Sequence, residues 1–321
     1  VLEARQRLLP DNWLLKDLDV IASLAPMEPI DLPVFHQKDI QVSIKRDDLL
    51  DPQLGGNKIY KLHAYLQAAV DAPDKPIISF GGAYSNHIYA LAAAGAQLKL
   101  PTVGIIRGEE PQQLSPTLQD AKRFGMQLHF VSREEYQQKN SQEFREKLQR
   151  KYGDHHLIPE GGAGPQGVAG CAALARGILN SVDDKPDLIV HACGTGASVA
   201  GLITGLALSP ATGVHVMGVS VLKGYPALEQ EIEGFLDQMQ VSAGSWELQQ
   251  EFHCGGYAKY PDYLADFVSD FEKQTQICLD PVYTSKVMWA LVKLAEQDAF
   301  TPGTRIIAVH SGGLQGCRGV D

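Results

Sequence analysis

The chain has 321 residues, of which 44% are hydrophobic and 21% charged, with a net charge of −10. That length suits one large or two medium globular domains. The acidic balance disfavours nucleic acid and anionic membranes, which need a basic footprint. No apolar run approaches the ~18 residues of a spanning helix.

The first residues, Val1-Leu2-Glu3-Ala4-Arg5, lack the charged-then-apolar pattern of a secretion signal, so a cytoplasmic protein is expected. Gly55-Gly56-Asn57-Lys58 follows, and Ile59-Tyr60-Lys61-Leu62-His63-Ala64-Tyr65-Leu66 behind it reads as a helix. Glycines let the backbone approach a flat ligand closely. Partial positive charge at a helix start disfavours a protonated amine, the condition a Schiff-base lysine needs.

Ile77-Ile78-Ser79-Phe80 predicts a buried strand running into Gly81-Gly82-Ala83-Tyr84-Ser85-Asn86-His87, with Ile88, Leu91, Ala92 and Gly95 at helical spacing behind it. Further strands are predicted at 102–106, closed by Arg107-Gly108, and at 127–131. Residues 113–152 are otherwise polar and read as solvated helix faces. Glu160-Gly161-Gly162-Ala163-Gly164-Pro165-Gln166-Gly167 is a glycine turn suited to a hinge, to close approach of a substrate, or simply to a loop. Strands at 187–192, 215–220 and 305–310 complete the set. Continuous apolar runs separated by helical patterns signal parallel strands buried on both faces, so the fold class is α/β. In such sheets ligands sit beyond the carboxyl ends of strands, where these glycine turns fall.

Cys193-Gly194-Thr195-Gly196-Ala197-Ser198-Val199-Ala200-Gly201 follows a strand and opens a helix. Backbone N–H groups there form an anion nest, with phosphate the natural guest. A dinucleotide fingerprint would need glycine at Val199, and a nucleophile elbow would need it at Ala200, so both readings fall. The turn at 81–87 is a second anion site, here for a carboxylate, or a plain helix cap by Ser85 or Asn86. An enzyme acting on an amino acid with pyridoxal phosphate needs both nests and a presented lysine. The five cysteines, Cys171, Cys193, Cys254, Cys278 and Cys317, are odd in number and form no C-x-x-C pair, so reduced thiols and neither disulfides nor zinc are expected. His155 and His156 are adjacent and point different ways, so no metal site is expected there.

Taken together, Lys45-Arg46-Asp47-Asp48-Leu49, the Lys58 turn, the 81–87 turn, the 194–198 loop, Asp280-Pro281-Val282-Tyr283-Thr284-Ser285-Lys286 and His310-Ser311-Gly312-Gly313 resemble a fold-type II pyridoxal-phosphate enzyme. Within that group the chain resembles the 1-aminocyclopropane-1-carboxylate (ACC) deaminase / D-cysteine desulfhydrase family, and the motifs span nearly all of it. The resemblance implies a tryptophan synthase β-like architecture: two domains, each a mostly parallel twisted sheet flanked by helices. Residues 1–59 plus 167–321 would form the large domain and 60–166 the small one. It implies pyridoxal 5'-phosphate as cofactor, a small amino acid as substrate and a homodimer. Lys58 would carry the internal imine, and Asn86 would hydrogen-bond the cofactor's phenolic oxygen. Gly194, Thr195, Gly196, Ala197 and Ser198 would hold its phosphate. Thr284 or Ser311 would face the ring nitrogen. Ser85, Asn86 and His87 fall where the family binds the substrate carboxylate or handles its proton, and Tyr257 and Tyr283 where tyrosines face the substrate.

One departure separates two activities. ACC deaminases carry glutamate where this chain has Thr284, and a carboxylate there keeps the pyridine nitrogen protonated. A hydroxyl makes a weaker electron sink, adequate for β-elimination and less suited to opening a cyclopropane. The expected activity is therefore α,β-elimination from D-cysteine to pyruvate, ammonia and sulfide, with freed Lys58 the first candidate base and Ser85 or a tyrosine the next. ACC deaminase is the second reading, and a non-catalytic pyridoxal-phosphate-binding protein is a third, from another class.

Overall fold

In the computed structural model, which describes residues 7–211 and 213–319, ten strands form two sheets. The N-terminal residues 1–5 read above for a secretion signal lie outside the described residues. In chain order the strands are β1 (Met27–Pro29), β2 (Gln41–Lys45), β3 (Ile77–Gly81), β4 (Thr102–Arg107), β5 (Gln127–Val131), β6 (His156–Leu157), β7 (Leu188–Cys193), β8 (His215–Ser220), β9 (Trp246–Gln249) and β10 (Arg305–Val309). One sheet has the order β1-β2-β10-β7-β8-β9 and the other β5-β4-β3-β6. All pairs are parallel except β1 with β2. This is the α/β class expected from the unbroken apolar runs, and β3 and β7 are buried along their whole length.

The four-stranded sheet is built only from residues 77–157, whereas the six-stranded sheet draws on chain before and after it. β10 lies between β2 and β7, with Ile307 in register with Ser43 on one side and Ile189 on the other. The two ends of the chain thereby share one sheet. Four strands escape the periodicity argument: β1, β2, β6 and β9. β1 and β6 have three and two residues, too short to show a period of two, and β9 is only half-buried along its length.

Two helices join the sheets. Lys58–Val70 packs on Pro165–Asn180, and Gly170 makes the approach close: a Cβ there would stand 2.1 Å from the Tyr60 carbonyl oxygen. The expected boundaries at 59/60 and 166/167 each fall within the first turn of one of these helices. The polar region 113–152 holds three helices, Pro116–Arg123, Arg133–Gln137 and Gln142–Tyr152. Their inner residues Leu118, Tyr136, Phe144 and Leu148 are buried and the charged faces are exposed.

Candidate active site

A cleft of about 470 Å³ opens where the carboxyl ends of β3, β4, β7 and β10 converge. This is the position expected for ligands of parallel sheets. Lys58 is the first residue of its helix and lines the cleft. Glycine at 55 and 56 is required, but the close partner is backbone. Gly56 has φ +93°, and a Cβ there would lie 1.9 Å from the Ser311 carbonyl oxygen; at Gly312 (φ +76°) a Cβ would lie 2.2 Å from that of Gly55. The two turns meet as an antiparallel bridge, Gly56 to Gly312. So these glycines let two turns touch each other, whereas the sequence reading assigned them to close approach of a flat ligand.

The Lys45–Leu49 motif anchors this junction from beneath. Lys45 Nζ donates to Asp47 Oδ1 (2.8 Å) and to the Ala22 carbonyl (2.6 Å), and the Tyr60 hydroxyl donates to the same carboxylate (3.0 Å). Arg46 meets both oxygens of Asp48, each at 2.8 Å. The Gly56 N–H donates to the Asp47 carbonyl at 2.8 Å. The lysine-bearing turn is thus hydrogen-bonded to a motif held by buried ion pairs.

The Lys58 amine donates to Asn57 Oδ1 (2.7 Å), and Asn57 Nδ2 donates to Ser198 Oγ (2.8 Å). Desolvation, then the nearby charge of Lys61, lowers the Lys58 amine to about 7. A substantial share of it is therefore uncharged and nucleophilic at neutral pH. Lys61 sits one turn further along the helix, its Nζ 3.3 Å from Thr195 Oγ1 in the 194–198 loop. Burial lowers its pKa too.

That loop leaves β7 and enters the helix Ala197–Ala207 through Gly196, φ +77°. The first N–H groups of a helix have no intrahelical partner and face outward as donors. A Cβ at Gly194 would stand 3.4 Å from the Tyr283 ring, so the missing side chain keeps a slot open between loop and ring. Gly194, Thr195, Gly196 and Ser198 line the cleft; Ala197 is fully buried behind them.

Across the cleft, Ser85 caps the helix Asn86–Leu98, its Oγ accepting from the Ile88 N–H at 3.2 Å. The hydroxyl proton stays free, so the cap and the cleft position coexist. Asn86 Oδ1 accepts from Gln315 Nε2 (2.8 Å), which leaves Nδ2 as the donor side of the amide. His87 is 2% exposed, and its Nε2 lies 2.7 Å from Ser79 Oγ. Ser79 donates its proton to the Ile158 carbonyl (2.9 Å), so Nε2 must carry the ring proton and Nδ1 is an acceptor. Nδ1 is buried without a hydrogen-bond partner among the described residues. Burial and the charges of Lys58 and Lys61 hold this imidazole well below its usual pKa, so it is neutral and does not itself bind a carboxylate by charge.

Tyr283 and Tyr257 stand edge to face, ring centroids 6.3 Å apart, and both line the cleft. Burial pushes both hydroxyls up, Tyr283 strongly. They stay protonated at neutral pH and serve as acids or donors. The Tyr257 loop is tied to the helix Thr284–Glu296 by Lys286 Nζ, which donates to the Gly256 carbonyl at 2.7 Å. Ser311 lines the cleft, whereas Thr284 is buried outside the lining, its hydroxyl proton directed to Asp280. Asp280 also accepts from the Val282, Tyr283 and Thr284 N–H groups.

Lys58, Ser85, Asn86, His87, Gly194, Thr195, Gly196, Ser198, Tyr257, Tyr283 and Ser311 therefore meet in one cleft; Ala197 and Thr284 stand behind its wall. Sequence reading missed Asn57, Lys61, Arg107, Glu160 and Gln315. Lys61 carried a signal, three residues after Lys58 and hence on the same helix face, and Arg107 carried another as the last residue of a strand. These groups fit pyridoxal phosphate. A poised amine lies within reach of an open slot, and a buried second amine and helix N–H donors wait at one end for a dianion.

Comparison with known proteins agrees. A family model described as "Pyridoxal-phosphate dependent enzyme" matches residues 25–312. A mitochondrial bifunctional D-cysteine desulfhydrase/1-aminocyclopropane-1-carboxylate deaminase of Arabidopsis thaliana is 31% identical over 290 residues, covering 85% of this chain and 72% of that one. A D-cysteine desulfhydrase of Salmonella typhi is 27% identical over 289 residues, 85% of this chain and 87% of its own. The crystal structure of an ACC deaminase homologue superposes with a TM-score of 0.77 at 27% identity, covering 97% of this chain and 92% of that one.

Proposed function

The chain belongs to the pyridoxal-phosphate-dependent enzymes, in the ACC deaminase / D-cysteine desulfhydrase family, and from that membership we propose a lyase that eliminates the thiol of D-cysteine to give pyruvate, ammonia and sulfide. The observation that carries the choice is the absence of a carboxylate at position 284. Thr284 offers a hydroxyl, and its proton is held by Asp280. Asp280 in turn is occupied by three backbone N–H groups. The hydroxyl of Ser311 lies on the same wall and lines the cleft. Neither hydroxyl stabilises a protonated ring nitrogen by charge, which suits an elimination whose electrons leave promptly with the leaving group.

When bound, the cofactor supplies an electron-withdrawing ring that acidifies the substrate α-carbon. The protein residues divide the remaining work. Lys61, Thr195, Ser198 and the N-terminus of the helix Ala197–Ala207 would hold the phosphate. Asn86 Nδ2, its amide oriented by Gln315, would donate to the phenolic oxygen. The Ser85 hydroxyl and the free N–H groups opening the helix Asn86–Leu98 bind the substrate carboxylate. Lys58 Nζ, a desolvated amine at the start of its helix, would take the α-proton. Tyr283 and Tyr257, held protonated, donate to the departing sulfur.

Purified holoenzyme assayed side by side on D-cysteine, L-cysteine and ACC tests this. Sulfide and pyruvate from D-cysteine are expected. Ketobutyrate from ACC with no sulfide from D-cysteine would instead establish the deaminase reading, which the likeness to an ACC deaminase homologue supports. Bound cofactor with no spectral response to any of the three would leave the non-catalytic carrier.

A further inference from the structure

Four cations line the cleft of a protein whose net charge is −10: Lys58, Lys61, Arg107 and Lys139. Three have assignments. Lys58 is the reactive amine, Lys61 faces the phosphate, and Lys139 Nζ pairs with Glu160 Oε2 at 3.3 Å. The other acid of the lining, Glu231, accepts from the Tyr225 hydroxyl. Arg107 has no carboxylate within ion-pair distance among the described residues.

Its position is built. Arg107 ends β4, and its Nη2 lies 3.5 Å from where a Cβ of Gly82 would stand. The guanidinium therefore lies along the same turn that presents Ser85 and Asn86. Tyr136, only 3% exposed, supports it from the other side, with Arg107 Cζ 5.8 Å from the ring centroid. Lys139 Nζ sits over the same ring at 4.9 Å. Arg107 is itself solvent-exposed where it lines the cleft, so a cation held this way, beside the turn proposed for the carboxylate and without a carboxylate partner among the described residues, is open to whatever the substrate carries beyond its α-carbon. A guanidinium fork matches an oxyanion through two parallel N–H bonds.

We infer that Arg107 is a specificity-determining residue and that the site takes small amino acids whose side chain ends in an oxyanion, such as a sulfonate or a phosphate ester. The inference rests on the cofactor site proposed above and widens its substrate class from thiol to anion. Holoenzyme is titrated with 3-sulfoalanine, O-phosphoserine and alanine, each in both hands, following the visible band. The wild type should bind a charged ligand at least about tenfold tighter than alanine of the same hand, the worth of one charge-assisted hydrogen-bonded pair. Arg107→Gln should bring that ratio to within about twofold of unity, and Arg107→Lys should retain part of it. A wild type with no preference for the charged ligands, or an Arg107→Gln protein that keeps the preference, overturns the assignment while leaving the cofactor site standing. A protein that forms no visible band with pyridoxal phosphate overturns both. The sulfonate and phosphate arms separate the two oxyanion classes.

Discussion

The two walls of the cleft are built on opposite terms. At the cleft the polar groups of the wall from the six-stranded sheet are mostly paired with one another: Asp280 accepts four hydrogen bonds, Asn57 bridges Lys58 to Ser198, and the glycine turns at 56 and 312 lock together. The wall from the four-stranded sheet leaves polar groups waiting. His87 Nδ1 is buried without a partner among the described residues, the Ser85 proton is uncommitted, and Arg107 has no counter-ion there. A group that stays bound is best held by a rigid, preorganised surface, because ordering costs are then met during folding. A ligand that arrives and leaves must itself complete the hydrogen bonds of its wall, and unpaired buried groups reject molecules unable to do so. The difference argues for the cofactor's phosphate on the first wall and the substrate's carboxylate on the second.

The strongest way to break this division is at the lysine between the walls. Lys58→Ala should abolish the visible band of the cofactor-loaded protein and lower turnover by on the order of 10⁴ or more, as removal of a covalent residue does elsewhere. Normal colour and turnover in that variant would end the reading. Next is the anchor under the first wall. Asp47→Ala leaves the fully buried Lys45 without its carboxylate, which should cost about 3–5 kcal/mol of stability in a denaturation experiment. A loss below 1 kcal/mol would show that the wall is not held from beneath. Lys61→Met should weaken cofactor binding by roughly ten- to a hundredfold, the worth of one hydrogen bond to a charged group, with little change in affinity for a phosphate-free pyridoxal.

The same variant sharpens the electrostatic side. Reductive trapping of a small neutral aldehyde by cofactor-free protein reports the uncharged Lys58 amine. Its rate should rise with pH through a midpoint near 7, because the folded-state pKa is about 7 against an ordinary 10.5. Removing the Lys61 charge removes one of the causes of that lowering, so the midpoint should move up in Lys61→Met. A midpoint that stays put would assign the whole shift to burial. The smallest expected effect is at the tyrosine pair that the six-stranded sheet's wall adds to the cleft: Tyr257→Phe removes one of two neighbouring hydroxyls and should reduce turnover several-fold, with cofactor affinity untouched, since the Tyr283 hydroxyl remains and the two rings keep their edge-to-face contact.

Sequence alone determined the α/β class, because buried parallel strands must be apolar throughout, and β3, β4, β5, β7, β8 and β10 could be read directly. It also singled out the lysine and the glycine turns, because close backbone approach and positive φ restrict a position to glycine wherever it sits. Tertiary structure decided what those glycines touch. Gly56 presses on the 311–312 turn, more than 250 residues away in the chain, and no local pattern encodes that contact. It also decided that the proton of Thr284 belongs to Asp280, that Ser79 fixes the tautomer of His87, and that Arg107 comes to lie beside Gly82 across two parallel strands. Periodicity reports which face of an element is buried. Hydrogen-bond direction and charge pairing depend on which elements meet at the cleft, and folding alone brings those together.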